Sequence, residues 1–371
     1  MIALFVQRIG EWVISLAEDS HPRELMVEVT TYCNYDCIHC FRKTMEEPLG
    51  SMSMETYKRL LEKASRAGVS KLSFSGWGEP LVHPYIINML EKAKEYGFKV
   101  LLNTNGALLV EHAKRIVDLS VDELVVSIDA VDPELYSSIR LKGALSNVTR
   151  GLLKVKELLK ETGRWKPVIK LEFTINKYNY RDLERIVDYA KKVGATHVIL
   201  SNIIPLTLEH EEELACYNDP QCLKETARLR EVLGKESLSS NVQVYIPSFN
   251  VVVERQCPFT RNYALFVRWD GLVAPCIYYA HTWRNVFMGI ERKIQAVILG
   301  DINREELLAI WRKKENAAFR LRASIFNQPS CLDCPLQQYC VLTESNKIDC
   351  WGNTPTCAHC PYSHDIVRCP L

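Results

Sequence analysis

Apolar and polar positions follow two rhythms along the first two-thirds of the chain. Short apolar runs predict six strands, over Glu24–Thr30, Lys71–Ser75, Lys99–Asn103, Glu123–Ile128, Val168–Ile175 and His197–Ser201. Between them, apolar residues recur every three to four positions and predict helices over Glu55–Ala67, Tyr85–Tyr96, Val110–Val117, Asn147–Lys160 and Arg181–Val193. Strands alternating with helices of this length form βαβ units and a parallel sheet, which right-handed crossovers curl toward a barrel. Six units fall short of the eight that close a barrel of about 250 residues. The expected fold class is therefore α/β, a partial (β/α)6 TIM-like barrel over residues 23–205. Ahead of it, Ile2, Phe5, Val6, Ile9, Trp12, Val13 and Leu16 stand at helical spacing, so an amphipathic helix is expected within residues 1–22. Residues 206–255 lose the rhythm, carry an acidic stretch at Glu209–Glu213 and read as a connecting segment. Residues 256–371 are poor in periodic segments and dense in cysteine, the pattern of a small metal-held C-terminal domain.

Composition narrows the function. Lys and Arg number 46 against 45 Asp and Glu, so there is no basic footprint for nucleic acid. No apolar run approaches the ~18 residues of a membrane span. The unusual count is cysteine, with 14 in 371 residues and nine of them after residue 256. The first residues lack the charged start and compact apolar core of a secretory signal, which points to a cytoplasmic protein. In that compartment clustered cysteines are more often metal ligands than disulfides. Cys216 and Cys222 stand apart from the clusters and suit a structural role or a local disulfide.

In parallel sheets chemistry gathers beyond the carboxyl ends of the strands. After the first strand come Cys33, Cys37 and Cys40, and after the second comes Gly76-Trp77-Gly78-Glu79-Pro80. Asn103 and Asn105 follow the third strand, Ser127 and Asp129 the fourth, and Asn202 and Pro205 the sixth. Three thiolates spaced four and three apart can wrap one iron–sulfur cube and leave its fourth iron open, since a [4Fe–4S] cluster normally takes four. Zinc is the other reading, with His39 as fourth ligand, although a side chain adjacent to Cys40 is poorly placed to complete a tetrahedron. A Gly-rich turn admits close backbone approach, and Glu79 offers a negative partner for an ammonium.

Cys33-x3-Cys37-x2-Cys40 after a first strand resembles the signature of the radical S-adenosylmethionine (SAM) enzymes. The resemblance implies that these cysteines hold a [4Fe–4S] cluster and that SAM chelates its open iron. It further implies reductive cleavage of SAM to a 5′-deoxyadenosyl radical. Gly76 to Pro80 is similar to the family's Gly-Gly-Glu-Pro turn, which meets the SAM amino group, with Trp77 standing where the family usually has glycine. The same likeness places Ser127 and Asp129 at the ribose, with Asn103 and Asn105 in the same pocket. Arg140 falls at the SAM carboxylate and Asn202 and Pro205 beside the adenine.

The later cysteines are Cys257, Cys276, Cys331, Cys334, Cys340, Cys350, Cys357, Cys360 and Cys369. Asp270-Gly271 signals a hairpin that returns Cys276 toward Cys257. This order, with Cys331-x2-Cys334-x5-Cys340, resembles the SPASM domain, which holds auxiliary [4Fe–4S] clusters. Glu344 stands where that pattern has its next cysteine. The expected sets are Cys257, Cys276 and Cys350 on one cluster and Cys331, Cys334 and Cys340 on the other. Cys357, Cys360 and Cys369 complete them in an order left open, and zinc on Cys357-x2-Cys360 is the alternative. Ser75–Leu81 and Asp349–Cys357 resemble stretches of the radical SAM maturases of tungsten-cofactor oxidoreductases. That likeness implies a tungstopterin oxidoreductase or its cofactor as client, and a ferredoxin-like electron donor. Two rival readings are a peptide-modifying SPASM enzyme and a non-enzymatic multi-cluster electron carrier. The 23 residues before the first strand are too few for the peptide-recognition domain expected of the first rival.

Overall fold

The computed structural model describes residues 5–252 and 255–370. The chain opens with a hairpin, β1 (Val6–Ile9) and β2 (Trp12–Ser15), where the spacing predicts a helix. Ile9 pairs with Trp12, so Gly10 and Glu11 make a two-residue turn with Gly10 at φ +59°. Glycine disfavours a helix interior by about 1 kcal/mol and takes this backbone shape freely, which decides against the helical period. Ile2, also counted in that helix, lies outside the described residues.

The six predicted strands form as β3 (Glu24–Val27), β4 (Lys71–Phe74), β5 (Lys99–Thr104), β6 (Glu123–Ser127), β7 (Val168–Ile175) and β8 (His197–Asn202), parallel and in chain order. The sheet extends further at both sides. The segment expected to be a mere connector supplies β9 (Gln243–Tyr245), parallel to β8. On the other side β10 (Ala264–Val267), from the cysteine-rich part, lies parallel to β3. β11 (Leu272–Ala274) then pairs antiparallel to β10, and β14 (Gly300–Asp301) antiparallel to β11. A separate hairpin joins β12 (Trp283–Phe287) to β13 (Ile290–Ile294). The expected boundary near residue 256 is thus crossed by the main sheet.

The helices cover one face. They are α1 (Met54–Arg66), α2 (Ile86–Glu95), α3 (Leu109–Asp118), α4 (Pro133–Ile139), α5 (Leu145–Thr162) and α6 (Ile186–Val193). The connector region adds α7 (Leu208–Leu214) and α8 (Pro220–Ser239), and a disulfide ties Cys216 in the link between them to Cys222 in the first turn of α8. The C-terminal part adds α9 (Pro258–Arg261), α10 (Leu307–Arg312) and α11 (Lys314–Ile325). In α1, Tyr57, Leu60, Leu61 and Ala64 are buried at i, i+3, i+4 and i+7, and Ser53 caps the Thr56 N–H. The sequence reading passes over α4. Its signal is Asp132-Pro133, with the Asp132 carboxylate capping Glu134 and Leu135 and Pro133 in the first turn.

Strand alternation divides the interior into two cores. Leu25 and Val27 of β3 and Leu265 and Val267 of β10 face the helices. Met26 and Phe266 face inward, into an aromatic core with Trp77, Tyr278 and Trp283 that the C-terminal module closes. A buried ionic network fastens the two parts. Glu28 accepts from the Trp77 N–H at 3.0 Å and from His281 Nε2 at 3.0 Å, and His281 Nδ1 lies 3.6 Å from Glu47. Burial opposes charge on His281, but its bonds to Glu28 and Glu47 outweigh that and raise its pKa. Burial likewise raises Glu47, but hydrogen bonds from His281 and the Thr282 N–H bring it down to about 2.

These shifts link stability to pH in opposite directions. His281 stabilises fully below its unfolded pKa of about 6.5, and that share is lost as pH rises through its raised folded value. Glu47 stabilises above about 4.5, and that share is lost as pH falls toward its folded value of about 2. Chemical denaturation across pH should therefore show a loss of stability above about pH 6.5. His281→Gln should flatten this alkaline limb, and an unchanged limb would refute the assignment.

Candidate functional site

One cavity of about 220 Å3 opens at the carboxyl ends of the parallel strands. The loop after β3 brings Cys33, Cys37 and Cys40 to its wall, and the loop after β4 brings Gly76, Trp77, Gly78 and Glu79. The two loops cross with no spare room. A Cβ on Gly76 would lie 2.7 Å from Glu28 Cγ. One on Gly78 would lie 2.6 Å from the Tyr32 carbonyl oxygen and closer still to that of Thr30. The Glu79 N–H also donates to Tyr32 O at 2.9 Å. Trp77 lines the cavity from this turn, and its Nε1 donates to Ile277 O of the C-terminal module at 3.3 Å. In place of a third glycine the chain has a bolt between its two halves.

Glu79 is buried and joins two loops. Its Oε1 accepts from Leu81 N at 3.0 Å and Thr104 Oγ1 at 2.6 Å, and its Oε2 accepts from Asn105 N at 2.6 Å. Burial pushes its pKa up. Three of about four acceptor positions are filled, which leaves one for a cationic group in the cavity. Asn105 is similarly committed. Its Nδ2 donates to Asn34 Oδ1 at 2.8 Å and lies 3.7 Å from Cys33 Sγ, so it steadies the cysteine loop.

The floor comes from β5, β6 and β7, with Asn103, Ser127 and Glu172 on the cavity wall. Asn103 Nδ2 donates to Glu172 Oε2 at 3.2 Å, and burial raises the Glu172 pKa. Glu172 escaped the sequence reading, although β7 carries the signal. Ile169, Leu171, Phe173 and Ile175 take the helix side, so Lys170, Glu172 and Thr174 must point inward.

Asp129, which the resemblance gives to the ribose, is not on the cavity wall. It lies fully buried beneath the cavity, its Oδ2 2.7 Å from Arg140 Nε and 3.5 Å from His39 Nε2. Arg140 ends α4 and does face the cavity. Burial works against its charge, but the Asp129 carboxylate beside it more than restores it. Asn202 lines the cavity and also ties β8 to the C-terminal residues. Its backbone and Nδ2 N–H groups both donate to Ile366 O, and Nδ2 donates to Ser248 O at 3.0 Å, while its Oδ1 is buried without a partner. With Arg368 N donating to Ser201 Oγ at 3.0 Å, β8 clamps the C-terminal residues over the cavity. Pro205 binds the C-terminal module instead, its carbonyl accepting from the Val286 N–H at 2.9 Å.

The later thiols form two sets that differ from the expected pairing. Cys257, Cys276, Cys357, Cys360 and Cys369 line one apolar cavity. Cys350 is not among them. It lies instead within electrostatic reach of Cys331, as does Cys334. Tight turns join Cys331, Cys334 and Cys340: the N–H groups of Cys334, Gln337 and Cys340 each bond back three residues, while the Cys331 N–H donates to Ala358 O at 2.8 Å. Linear order put Cys350 with Cys257, but the turn held by Asp349, which accepts from Trp351 N and Asn353 N, carries it to the Cys331 loop.

The donor sets fit iron–sulfur clusters. Burial raises Cys33 and pushes Cys37, Cys331 and Cys360 up to about 12, so these thiols ionise readily only against bound cations. Among the described residues no three His, Cys, Asp or Glu side chains close on the point that one ion would fill. The thiols stand around cavities. Among the described residues, too, no helix is long and apolar enough to cross a membrane.

Comparison with known proteins agrees with this geometry. The Radical SAM superfamily matches residues 27–216, and SPASM, an iron–sulfur cluster-binding domain, matches residues 257–335. The chain is similar to the tungsten-containing aldehyde ferredoxin oxidoreductase cofactor-modifying protein of Pyrococcus furiosus. The two are 32% identical over 94% of this chain and 97% of that one. A probable GTP 3′,8-cyclase of Methanococcus maripaludis is 28% identical over 70% of this chain and 87% of its own length. In fold the chain is similar to Streptococcus suis SuiB bound to S-adenosylmethionine, with TM-score 0.63 and 18% identity over 86% of this chain and 72% of that chain.

Glu79→Ala should strip acceptors from three donors at once. At about 1–3 kcal/mol per unsatisfied buried group, the metal-free protein should lose roughly 3 kcal/mol or more in urea denaturation. Thr104→Val should lose about 1 kcal/mol. Equal losses from the two would contradict the bridging role.

Proposed function

The chain belongs to the radical SAM superfamily, and from that premise we propose that it reductively cleaves SAM at the sheet-edge cavity to mature or modify the cofactor of a tungsten-containing oxidoreductase. The observation that carries the reading is the convergence of three thiols from one loop on a cavity walled by Glu79, Arg140 and the Asn103–Glu172 pair. Cys33, Cys37 and Cys40 would hold a [4Fe–4S] cluster, which supplies an electron to the SAM sulfonium when bound. Glu79 offers its remaining acceptor position to the SAM ammonium. Arg140, oriented by Asp129, offers its guanidinium to the SAM carboxylate. Asn103, Ser127 and Glu172 present the polar floor that suits ribose hydroxyls. Asn105 and Asp129 act at one remove, holding the cysteine loop and Arg140.

In the C-terminal module, Cys331, Cys334, Cys340 and Cys350 form one auxiliary set. Cys257, Cys276, Cys357 and Cys360 form the other, with Cys369 at the same cavity. Likeness along nearly the whole length of the Pyrococcus furiosus protein supports the client. A ferredoxin-like donor and a cytoplasmic location belong to the same reading.

Incubation of anaerobically reconstituted protein with dithionite and SAM should release 5′-deoxyadenosine. Cys33→Ala, Cys37→Ala and Cys40→Ala should each abolish release while keeping the visible absorption of the C-terminal clusters. Full loading should give about twelve irons per chain, three cubes of four. No release at full iron loading would overturn the proposal. The client is tested by supplying the chain to a tungsten-containing aldehyde oxidoreductase made without it, which should become active only with Cys37 intact.

A further inference from the structure

Among the described residues, two buried arginines of the C-terminal module form no ion pair with a carboxylate. Arg320 on α11 is 8% exposed and is the only charged side chain, among the described residues, on the wall of the thiol-lined apolar cavity. Its guanidinium lies over the Trp311 ring, 3.4 Å from the centroid, and Nη1 donates to Trp311 O at 2.8 Å. Its Nη2 is buried with no partner. Arg292 on β13 is 1% exposed. Its Nη1 donates to Phe287 O at 2.7 Å and Ile290 O at 3.2 Å, while Nε and Nη2 are buried and unmatched. It shares a groove wall with Cys340 and lies within the electrostatic reach of Cys331. The nearby Glu211 is already taken by Met288 N, Gly289 N and Tyr217 Oη.

A buried unpaired charge is strongly unfavourable, so a fold that keeps two of them must meet each with opposite charge. Neutral thiols supply none. A [4Fe–4S] core on four thiolates is a net anion, and each arginine stands beside one thiol set. We propose that Arg320 and Arg292 are the built-in counter-cations of the two auxiliary clusters, Arg320 for the Cys257, Cys276, Cys357 and Cys360 set and Arg292 for the Cys331, Cys334, Cys340 and Cys350 set. This rests on the reading that those thiols hold clusters. Each arginine is a positioning and tuning residue. Reduction adds negative charge to a cluster, so a fixed cation beside it favours the reduced form and raises the potential. The same cation opposes folding of the metal-free module and favours the loaded one.

The test uses the full chain, anaerobically reconstituted, with Arg320→Met, Arg320→Lys, Arg292→Met and Arg292→Lys. Potentiometric titration followed by electron paramagnetic resonance should show Arg320→Met moving one auxiliary cluster to a more negative potential and Arg292→Met moving the other. Each lysine variant should recover most of its shift. Thermal unfolding should reverse sign with metal: both methionine variants melt below wild type when loaded and above it after chelation. Unshifted potentials at full iron loading would overturn the proposal alone, as would equal destabilisation of loaded and stripped protein. A methionine variant that fails to fold even when stripped would also overturn it. Wild-type protein that loads only one cluster would overturn the thiol assignment first, and this proposal with it.

Discussion

The site depends on the crossing of two loops packed too closely for a methyl group. Where Gly78 passes the carbonyls of Thr30 and Tyr32, and Gly76 passes the stem of Glu28, any side chain would drive the loops apart. That contact sets the distance between the cysteine loop and the Glu79 turn. Glu79 then carries the constraint onward to β5 through Thr104 and Asn105, and Asn105 returns it to the cysteine loop through Asn34. The three loops form a closed ring of hydrogen bonds around the place where the chemistry is expected. Rigid supporting bonds of this kind are what a reactive centre needs, because a small misplacement weakens orientation.

Much of this architecture was legible in the sequence. The six central strands and their helices follow from periodicity, and the placing of functional loops at one rim follows from parallel topology. The misreadings share a cause. At the amino terminus a helical spacing of apolar residues competed with Gly10, and the turn won. Strands β9 and β10 are three and four residues long and take their definition from neighbours, not from their own pattern. Asp129, Asn105 and Asn202 are polar residues at the right rim that the protein also engages, Asp129 with Arg140, Asn105 with the cysteine loop and Asn202 with the C-terminal residues. Sequence position showed that they were near the site but not which way their bonds ran. Glu172 was the converse case, a functional candidate hidden in a plain alternating strand.

The cysteine-rich part shows the same limit more sharply. Spacing identified the cysteines that matter, but linear order misassigned Cys350, since only the Asp349 turn shows which loop it joins. Burial leaves those thiols reluctant to ionise and leaves some N–H groups of two arginines unmatched. Both features are unfavourable in a metal-free domain and consistent in a loaded one. The module thereby encodes its need for metal in its electrostatics as well as in its ligands.

The strand β10 carries a consequence for how this architecture can be divided. It lies between β3, which leads directly to the cysteine loop, and β11 of the C-terminal part. Removing everything after residue 256 would bare the full hydrogen-bonding edge of β3 beside the reactive centre, a ready template for pairing with other chains. The amino-terminal half is therefore no portable cassette. Recombination that separates the two parts leaves an open sheet edge beside the cysteine loop in place of a closed one.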